Sequence, residues 1–212
     1  SISGNASNLY YHYKVLDDAT REQIFSDIYD ESEWLIRLVE NLLSVTRIEN
    51  GEMEINTTPE VLDDAVDEAM KHIDRNRVLH NITVKRPDDI VIAEMDAKLI
   101  VQVIINIVNN AIKYTQEGSD ITVEYKEEAD KVIVSISDNG PGMDEQVKEH
   151  VFDMFYTGKN KVADSKKSMG LGLALCRSVI EAHGGKINVS DNIPSGCIFS
   201  FDLKKGEIII NE

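Results

Sequence analysis

Apolar residues recur at alternating spacings of four and three through Ile24, Ile28, Leu35, Leu38, Leu42 and Val45, with Glu31 the one polar interruption. This pattern predicts one long amphipathic helix over residues 21–49, with the seam of a coiled coil or helical bundle. Ile2, Ala6, Leu9 and Tyr13 carry a shorter version of the pattern, and Lys14–Thr20 reads as the connection between two antiparallel helices. Thr20, with Gln23 three residues on, is the expected cap of the second helix. Such a hairpin needs a partner to cover its seam. Asn50-Gly51 stops the long helix, so a domain boundary is expected at residue 51, dividing the chain into 1–51 and 52–212.

Beyond that boundary the period alternates between helix-like and strand-like. A short strand is expected at Met53–Asn56, and Thr58-Pro59-Glu60 opens a helix over residues 60–74, with proline at an early helical position. Ile82–Lys85 and Ile90–Glu94 read as strands and Ala97–Thr115 as a strongly apolar helix. Ile121–Tyr125 and Lys131–Ser137 alternate and form a hairpin joined by Lys126–Asp130. Glu145–Phe155 reads as helix. Residues 157–168 hold no large apolar residue except Val162 and are expected to form a mobile loop. Leu171–Ala182 is a helix stopped by Gly184-Gly185, and Lys186–Ser190 with Cys197–Leu203 makes a last hairpin. Helices interleaved with hairpin-paired strands predict an α+β, two-layer sandwich with a sheet covered on one face by helices.

Composition narrows the function classes. A chain of 212 residues with 42% hydrophobic and 28% charged residues has the profile of a soluble globular protein. A net charge of −16 argues against non-specific nucleic-acid binding and against docking on an anionic membrane surface. Cys176 and Cys197 form no disulfide framework or metal-ligand spacing, and the five histidines form no zinc pattern. A reducing compartment is the simplest reading. No apolar run approaches the roughly 20 residues that cross a bilayer, and no signal-peptide pattern is present. The start at Ser1, without methionine, points to a trimmed chain with further segments upstream.

The candidate chemistry lies in four segments. Asn106 and Asn110 stand at i and i+4 on one face of the apolar helix, with Lys113 a turn further on. Amide oxygens ligate Mg²⁺ without adding charge to a site that already holds a polyphosphate, and lysine offers a point charge to phosphate oxygens. Asp138-Asn-Gly140-Pro-Gly142 follows a strand. Its carboxylate suits an exocyclic amine such as that of adenine, and its glycines let the backbone pass close to a flat ring. Gly170-Leu-Gly172-Leu173 opens a helix, where backbone N–H groups and the helix dipole favour phosphate. It lacks the third glycine of a dinucleotide fingerprint and the Gly-Lys-Ser/Thr ending of a P-loop. Lys159, Lys161, Lys166 and Lys167 cluster in the loop before it, within reach of a γ-phosphate on closure. Taken one at a time, each segment also has an ordinary structural explanation: helix capping, a strand-terminal turn, a helix stop or solvated charge.

Taken in order, the segments resemble the ATP-binding domain of bacterial two-component sensor histidine kinases, within the superfamily that also holds gyrase, Hsp90 and MutL (the GHKL, or HATPase, group). Asn106–Thr115 resembles the N box, Asp138–Met143 the first glycine box, Val151–Phe155 the phenylalanine box and Gly170–Leu173 the second glycine box. The resemblance covers nearly all of residues 53–204 and implies the Bergerat ATP-binding fold. The stretch Leu42–Gly51 resembles the second helix of the dimerisation and phosphotransfer hairpin. Phe152–Gly158 and Ser168–Cys176 resemble the potassium-responsive Kdp sensor kinases.

The resemblance also implies roles. Asn110 would bind Mg²⁺, with Asn106 beside it near the phosphates of ATP. Lys113 would contact phosphate and Tyr114 would pack near adenine. Asp138 would read the adenine amine, with Gly140 and Gly142 lining the base pocket. Residues 157–169, including Thr157, Gly158, Lys166 and Lys167, would form the ATP lid. Gly170, Leu171, Gly172 and Leu173 would form its far hinge beside the phosphates. Hydrolysing relatives place a glutamate four residues before the metal-binding asparagine; here that position is Asn106, which favours phosphoryl transfer to a protein over hydrolysis.

Two departures stand out. The box containing the phosphoacceptor histidine is absent, and His12 does not fit it, so the chain is expected to bind ATP without phosphorylating itself. Cys197 stands where kinases of this group often have threonine, which puts one contact near adenine in question. The implied partners are a response regulator and, in the intact kinase, a second copy through the hairpin. The implied location is cytoplasmic, with any membrane attachment through upstream segments. The competing readings are a GHKL-fold ATPase or protein-serine kinase, and a non-catalytic helical scaffold.

Overall fold

The computed structural model describes residues 1–51, 55–73, 79–157 and 170–207. These form two compact units, Ser1–Leu43 and Ser44–Glu212. The first is a helical hairpin built from α1 (Ile2–His12) and the greater part of α2 (Asp18–Glu49). Leu9 and Ile24 are buried in it, whereas Tyr10, Tyr11, Phe25, Tyr29, Ile36 and Val39 are exposed. The cap of α2 is Asp17, not Thr20. The Asp17 carboxylate accepts from the Thr20 backbone N–H at 2.8 Å and from the Thr20 hydroxyl at 2.8 Å, so the helix starts earlier than the apolar period indicates. The last turn of α2 belongs to the second unit, because Val45 is fully buried in that unit's core and Ile48 packs against it.

The second unit is an α+β two-layer sandwich. Its main sheet has the order β2-β4-β5-β7-β6, from Asn81–Lys85, Asp120–Glu128, Lys131–Asp138, Cys197–Lys204 and Ile187–Asp191. The β2·β4 pair is parallel and the other pairs are antiparallel. Alternate residues of β5 and β7 are buried, among them Val132, Val134, Ile136, Phe199, Phe201 and Leu203. Three helices supply much of the rest of the core: α3 (Leu62–Lys71), α4 (Ala97–Tyr114) and α6 (Gly172–Ala182). On α4, Ile100, Val103, Ile104, Ile107, Val108, Ala111 and Ile112 are all buried, which is why a helix of this apolarity forms here. Asp96 caps it by accepting from the Leu99 N–H.

Several boundaries differ from the sequence expectation. Part of the strand expected at Met53–Asn56 lies outside the described residues; the observed strand is β1 (Thr58–Val61), antiparallel to β3 (Ile92–Met95) in a separate two-stranded sheet. Pro59 therefore sits opposite Glu94 in a strand, and α3 begins only at Leu62, whose N–H bonds the Val91 carbonyl. The partner that turns residues 58–61 into strand is more than 30 residues away, invisible to a local period. The β4–β5 connection is tighter than the expected five residues, because pairing runs out to Glu128↔Lys131. The helix expected over Glu145–Phe155 is limited to α5 (Glu145–His150). Beyond it Phe152 turns edge-on to Phe199, with centroids 6.1 Å apart, and the Phe155 N–H bonds the Gly170 carbonyl instead of a helical partner.

Because Ile104 is fully buried at the centre of α4, Ile104→Ala should destabilise the chain by about 3 kcal/mol, read as a lower urea midpoint at unchanged slope.

Candidate functional site

At one end of the sheet, β5 finishes in Asp138, whose side chain is 8% exposed. It is the one buried acidic or basic side chain among the described residues. Its Oδ1 accepts from the Gly140 N–H at 2.9 Å and the Cys197 N–H at 3.3 Å. Burial raises the carboxyl above its ordinary range, and these two backbone bonds oppose the rise. Around it lies an open pocket lined by Asn110, Ala111, Tyr114, Asp138, Pro141, Gly142, Met143, Cys197 and Phe199. Apolar walls around one fixed carboxylate suit a flat heteroaromatic ring that carries an amine.

The α4 helix supplies the opposite wall. Asn110 lines the pocket, and its side chain makes no hydrogen bond to another described residue. One turn earlier, the Asn106 oxygen accepts from Gln102 at 3.3 Å, and its nitrogen approaches the Gly172 carbonyl at 3.5 Å. Lys113 places its ammonium 5.2 Å from the Tyr114 ring centroid. The buried Oδ1 of Asn109 has no partner. No group of three or more His, Cys, Asp or Glu fit to hold a metal occurs among the described residues. Neutral amide oxygens are of the kind that a hard cation accepts alongside phosphate oxygens and water.

Gly170, just before the start of α6, is not among the residues lining this pocket. This glycine has φ +64°, and a β-carbon on it would lie 2.3 Å from the Tyr156 carbonyl oxygen. With the Phe155 N–H bonded to the Gly170 carbonyl, the residues flanking segment 158–169 lie side by side. Leu171 and Leu173 bury their side chains, so only their backbone is available to a ligand. Among the described residues no side chain caps the α6 N-terminus, where the first N–H groups of a helix look for an acceptor outside it.

The structure thus gathers Asn110, Tyr114, Asp138 and Gly142 around one pocket. Asn106 and Gly172 lie next to each other, and Gly140 folds back on Asp138. Thr157 is exposed. Gly158, Lys166 and Lys167, with Lys159 and Lys161, lie outside the described residues. Pro141, Met143, Ala111 and Phe199 also line the pocket and were not foreseen. Phe199 was legible in principle, since Cys197, Phe199 and Phe201 alternate along the last strand. The Cys197 backbone N–H bonds the Asp138 carboxylate, and this bond would form equally with threonine at that position. Burial raises the Cys197 thiol to about 11.

Residues 95–207 match the family model described as histidine kinase-, DNA gyrase B-, and HSP90-like ATPase. The chain is 38% identical over 204 residues to the sensor protein KdpD of Clostridium acetobutylicum, covering 96% of this chain and 23% of that protein. It is 32% identical over 186 residues to the adaptive-response sensory kinase SasA of Gloeothece citriformis, covering 86% of this chain and 47% of that one. It therefore spans about a quarter to a half of these relatives' length. The histidine kinase ThkA, solved in complex with the response regulator protein TrrA, superposes with a TM-score of 0.74 at 27% identity, covering 96% of this chain and 56% of that chain.

Two outcomes follow from the Asp138 geometry. The carboxyl is raised, so its contribution to stability is complete below the ordinary carboxyl value of 3.8 and is lost as pH rises through the raised value. Asp138→Asn should therefore unfold at a higher temperature than the unaltered chain at pH 7, with the difference shrinking toward pH 3. Gly196 has φ +114°, and a β-carbon there would lie 1.9 Å from the Asp138 carbonyl oxygen. Gly196→Ala should cost at least about 2 kcal/mol in denaturant unfolding.

Proposed function

The chain belongs to the histidine kinase-, DNA gyrase B- and HSP90-like ATPase family and, within it, to the two-component sensor histidine kinases; on that premise we propose that it holds Mg-ATP and delivers the γ-phosphoryl group to a histidine outside these 212 residues, for relay to a response-regulator aspartate. Its ATP-binding catalytic domain is the part that carries the pocket. The observation that supports the reading best is the convergence of Asn110, Tyr114, Asp138 and Gly142 on one apolar pocket, with Asn106 one turn away on α4 against the Gly172 carbonyl at the start of α6.

In this reading Asp138 accepts a hydrogen bond from the exocyclic amine of adenine, held in place by the Gly140 and Cys197 N–H groups. Tyr114, Met143 and Phe199 cover the ring. Asn110 and Asn106 hold Mg²⁺ through their amide oxygens. Bound Mg²⁺ supplies charge neutralisation at the phosphate oxygens. Lys113 and the first backbone N–H groups of α6 take the remaining phosphate charge, with Lys166 and Lys167 contributing from the lid. Asn106 stands where a base would activate water, and a neutral amide cannot take the proton. The site therefore positions ATP for an external nucleophile, and a histidine imidazole needs little help to attack. The reading places the domain in the cytoplasm; among the described residues no helix is long and apolar enough to cross a membrane. The response-regulator complex of ThkA supports a partner of that class. The exposed apolar face of the hairpin supports pairing with a second copy.

The test is a calorimetric titration with ATP, with Mg²⁺ and with chelator, on the unaltered chain and on Asn110→Ala. Affinity should fall on chelation for the unaltered chain. Asn110→Ala should weaken Mg-ATP binding about tenfold or more and lose most of its Mg²⁺ dependence. No binding at millimolar nucleotide would contradict the reading, and steady phosphate release would replace it with an ATPase.

A second outcome concerns the acceptor. Incubated with labelled ATP, this chain should acquire no acid-labile phosphate. Mixed with a polypeptide carrying the histidine-bearing hairpin of the same kinase, it should label that polypeptide. Acid-labile label on the 212-residue chain alone would contradict the assignment.

A further inference from the structure

The connection between β6 and β7 (residues 192–196) touches Asp138, and none of its residues is among those lining the pocket. The β5–β7 ladder ends at Ser137↔Ile198, one residue short of Asp138. The Asp138 carbonyl instead accepts from the side-chain nitrogen of Asn192 at 2.7 Å. A carbonyl can only accept, so this contact requires a donor at position 192. Asn192 is itself fixed: its N–H bonds the Gly196 carbonyl at 3.0 Å, closing the loop. The Ser195 hydroxyl reaches the Asn139 carbonyl at 3.5 Å. The next residue along, Cys197, gives its N–H to the Asp138 carboxylate. The same short loop therefore holds both the main chain and the side chain of Asp138.

The strand leading into this loop is anchored as well. Asp191, the last residue of β6, pairs with the Lys148 ammonium at 2.6 Å. Lys148 also pairs with Glu145 at 2.8 Å, and its side chain is only 10% exposed. Lys148 lies on α5, the helix that leads to Phe152 and the near end of segment 158–169.

We infer that Asn192 is a positioning residue for adenine recognition: it orients the Asp138 peptide, so that the carboxylate meets the exocyclic amine, without itself touching the nucleotide. The inference rests on the reading of Asp138 as the group that accepts from that amine. Loss of the Asn192 donor leaves the Asp138–Asn139 peptide held on one side only, by the Asn139 N–H on the Asp120 carbonyl at 3.3 Å, so that the peptide tilts and moves the carboxylate. The cost falls on the one hydrogen bond that the amine makes. Stacking of the ring and binding of the phosphates are untouched.

The experiment compares ATP with purine riboside 5′-triphosphate, which lacks the amine, by calorimetric titration of the 212-residue chain in Mg²⁺. The unaltered chain should prefer ATP. Asn192→Ala should weaken ATP about fivefold, the worth of roughly one hydrogen bond, and the analogue less than about twofold. Asn192→Asp, which keeps the shape but turns the donor into a carboxylate, should lose at least as much ATP affinity with the same selectivity. Thermal unfolding of each variant reports its fold. Equal weakening of both nucleotides, or none, overturns the positioning role while leaving the Asp138 reading intact. No preference for ATP in the unaltered chain overturns the Asp138 reading, and the inference with it.

Discussion

One buried carboxylate organises this domain. Asp138 is kept in the ionisable form at the end of a central strand, 8% exposed, with burial working against its charge. A side chain of this kind is retained only where other groups hold it. Here the holders are backbone: the Gly140 N–H from the turn that follows, and the Cys197 N–H from the neighbouring strand. Both depend on close approach. A β-carbon on Gly140 would lie 2.9 Å from the Asp138 Oδ1 and 2.7 Å from the Thr115 methyl, and Gly196 tolerates none against the Asp138 carbonyl. Gly140 and Gly196 thus let backbone approach Asp138 closely.

The second constraint is the packing of α4 against α6, which sets the Asn106 amide beside the Gly172 carbonyl at the start of α6. The two helices are tied at both ends. Asn106 meets the Gly172 carbonyl at one end. At the other, the His183 Nε2 accepts from the Asp96 N–H at 3.0 Å, while its Nδ1 bonds the Val179 carbonyl at 2.7 Å. This requires the neutral Nδ1–H tautomer. Between them Cys176 packs fully buried, its Sγ 3.7 Å from the Val103 carbonyl and its thiol pushed up to about 12 by burial. The polar face of α4 is therefore positioned by rigid secondary structure.

How much of this was legible varied with the range of the determining contact. The α4 helix and the strands β5 and β7 are dictated by local period, and they came out nearly as expected. The strand β1 depends on pairing with β3, so Pro59 read as a helix start. The end of α5 depends on Phe152 turning toward Phe199 and on Gly170 capturing the Phe155 N–H, neither of which a local pattern encodes. The same holds for the pocket. Asn110, Tyr114, Asp138 and Gly142 announce themselves by residue type and spacing. Pro141, Met143 and Phe199 are ordinary residues that become pocket walls only when three separate elements meet. Asn192 carries no sequence signal at all; its role follows only from a carbonyl left over at the end of a ladder.

The central claim is that the Asp138 end of the sheet holds the base and the α4–α6 end holds the phosphates. Backbone amide shifts on a ¹⁵N-labelled chain test it most directly, with Mg-ATP compared against Mg-tripolyphosphate. The account predicts that the Gly140 and Cys197 amides, which donate to Asp138, move with Mg-ATP and stay in place with Mg-tripolyphosphate, whereas the amides of Gly172 and Leu173 move with both. Equal displacement of the Gly140 and Cys197 amides by tripolyphosphate, or no displacement by Mg-ATP, would contradict it.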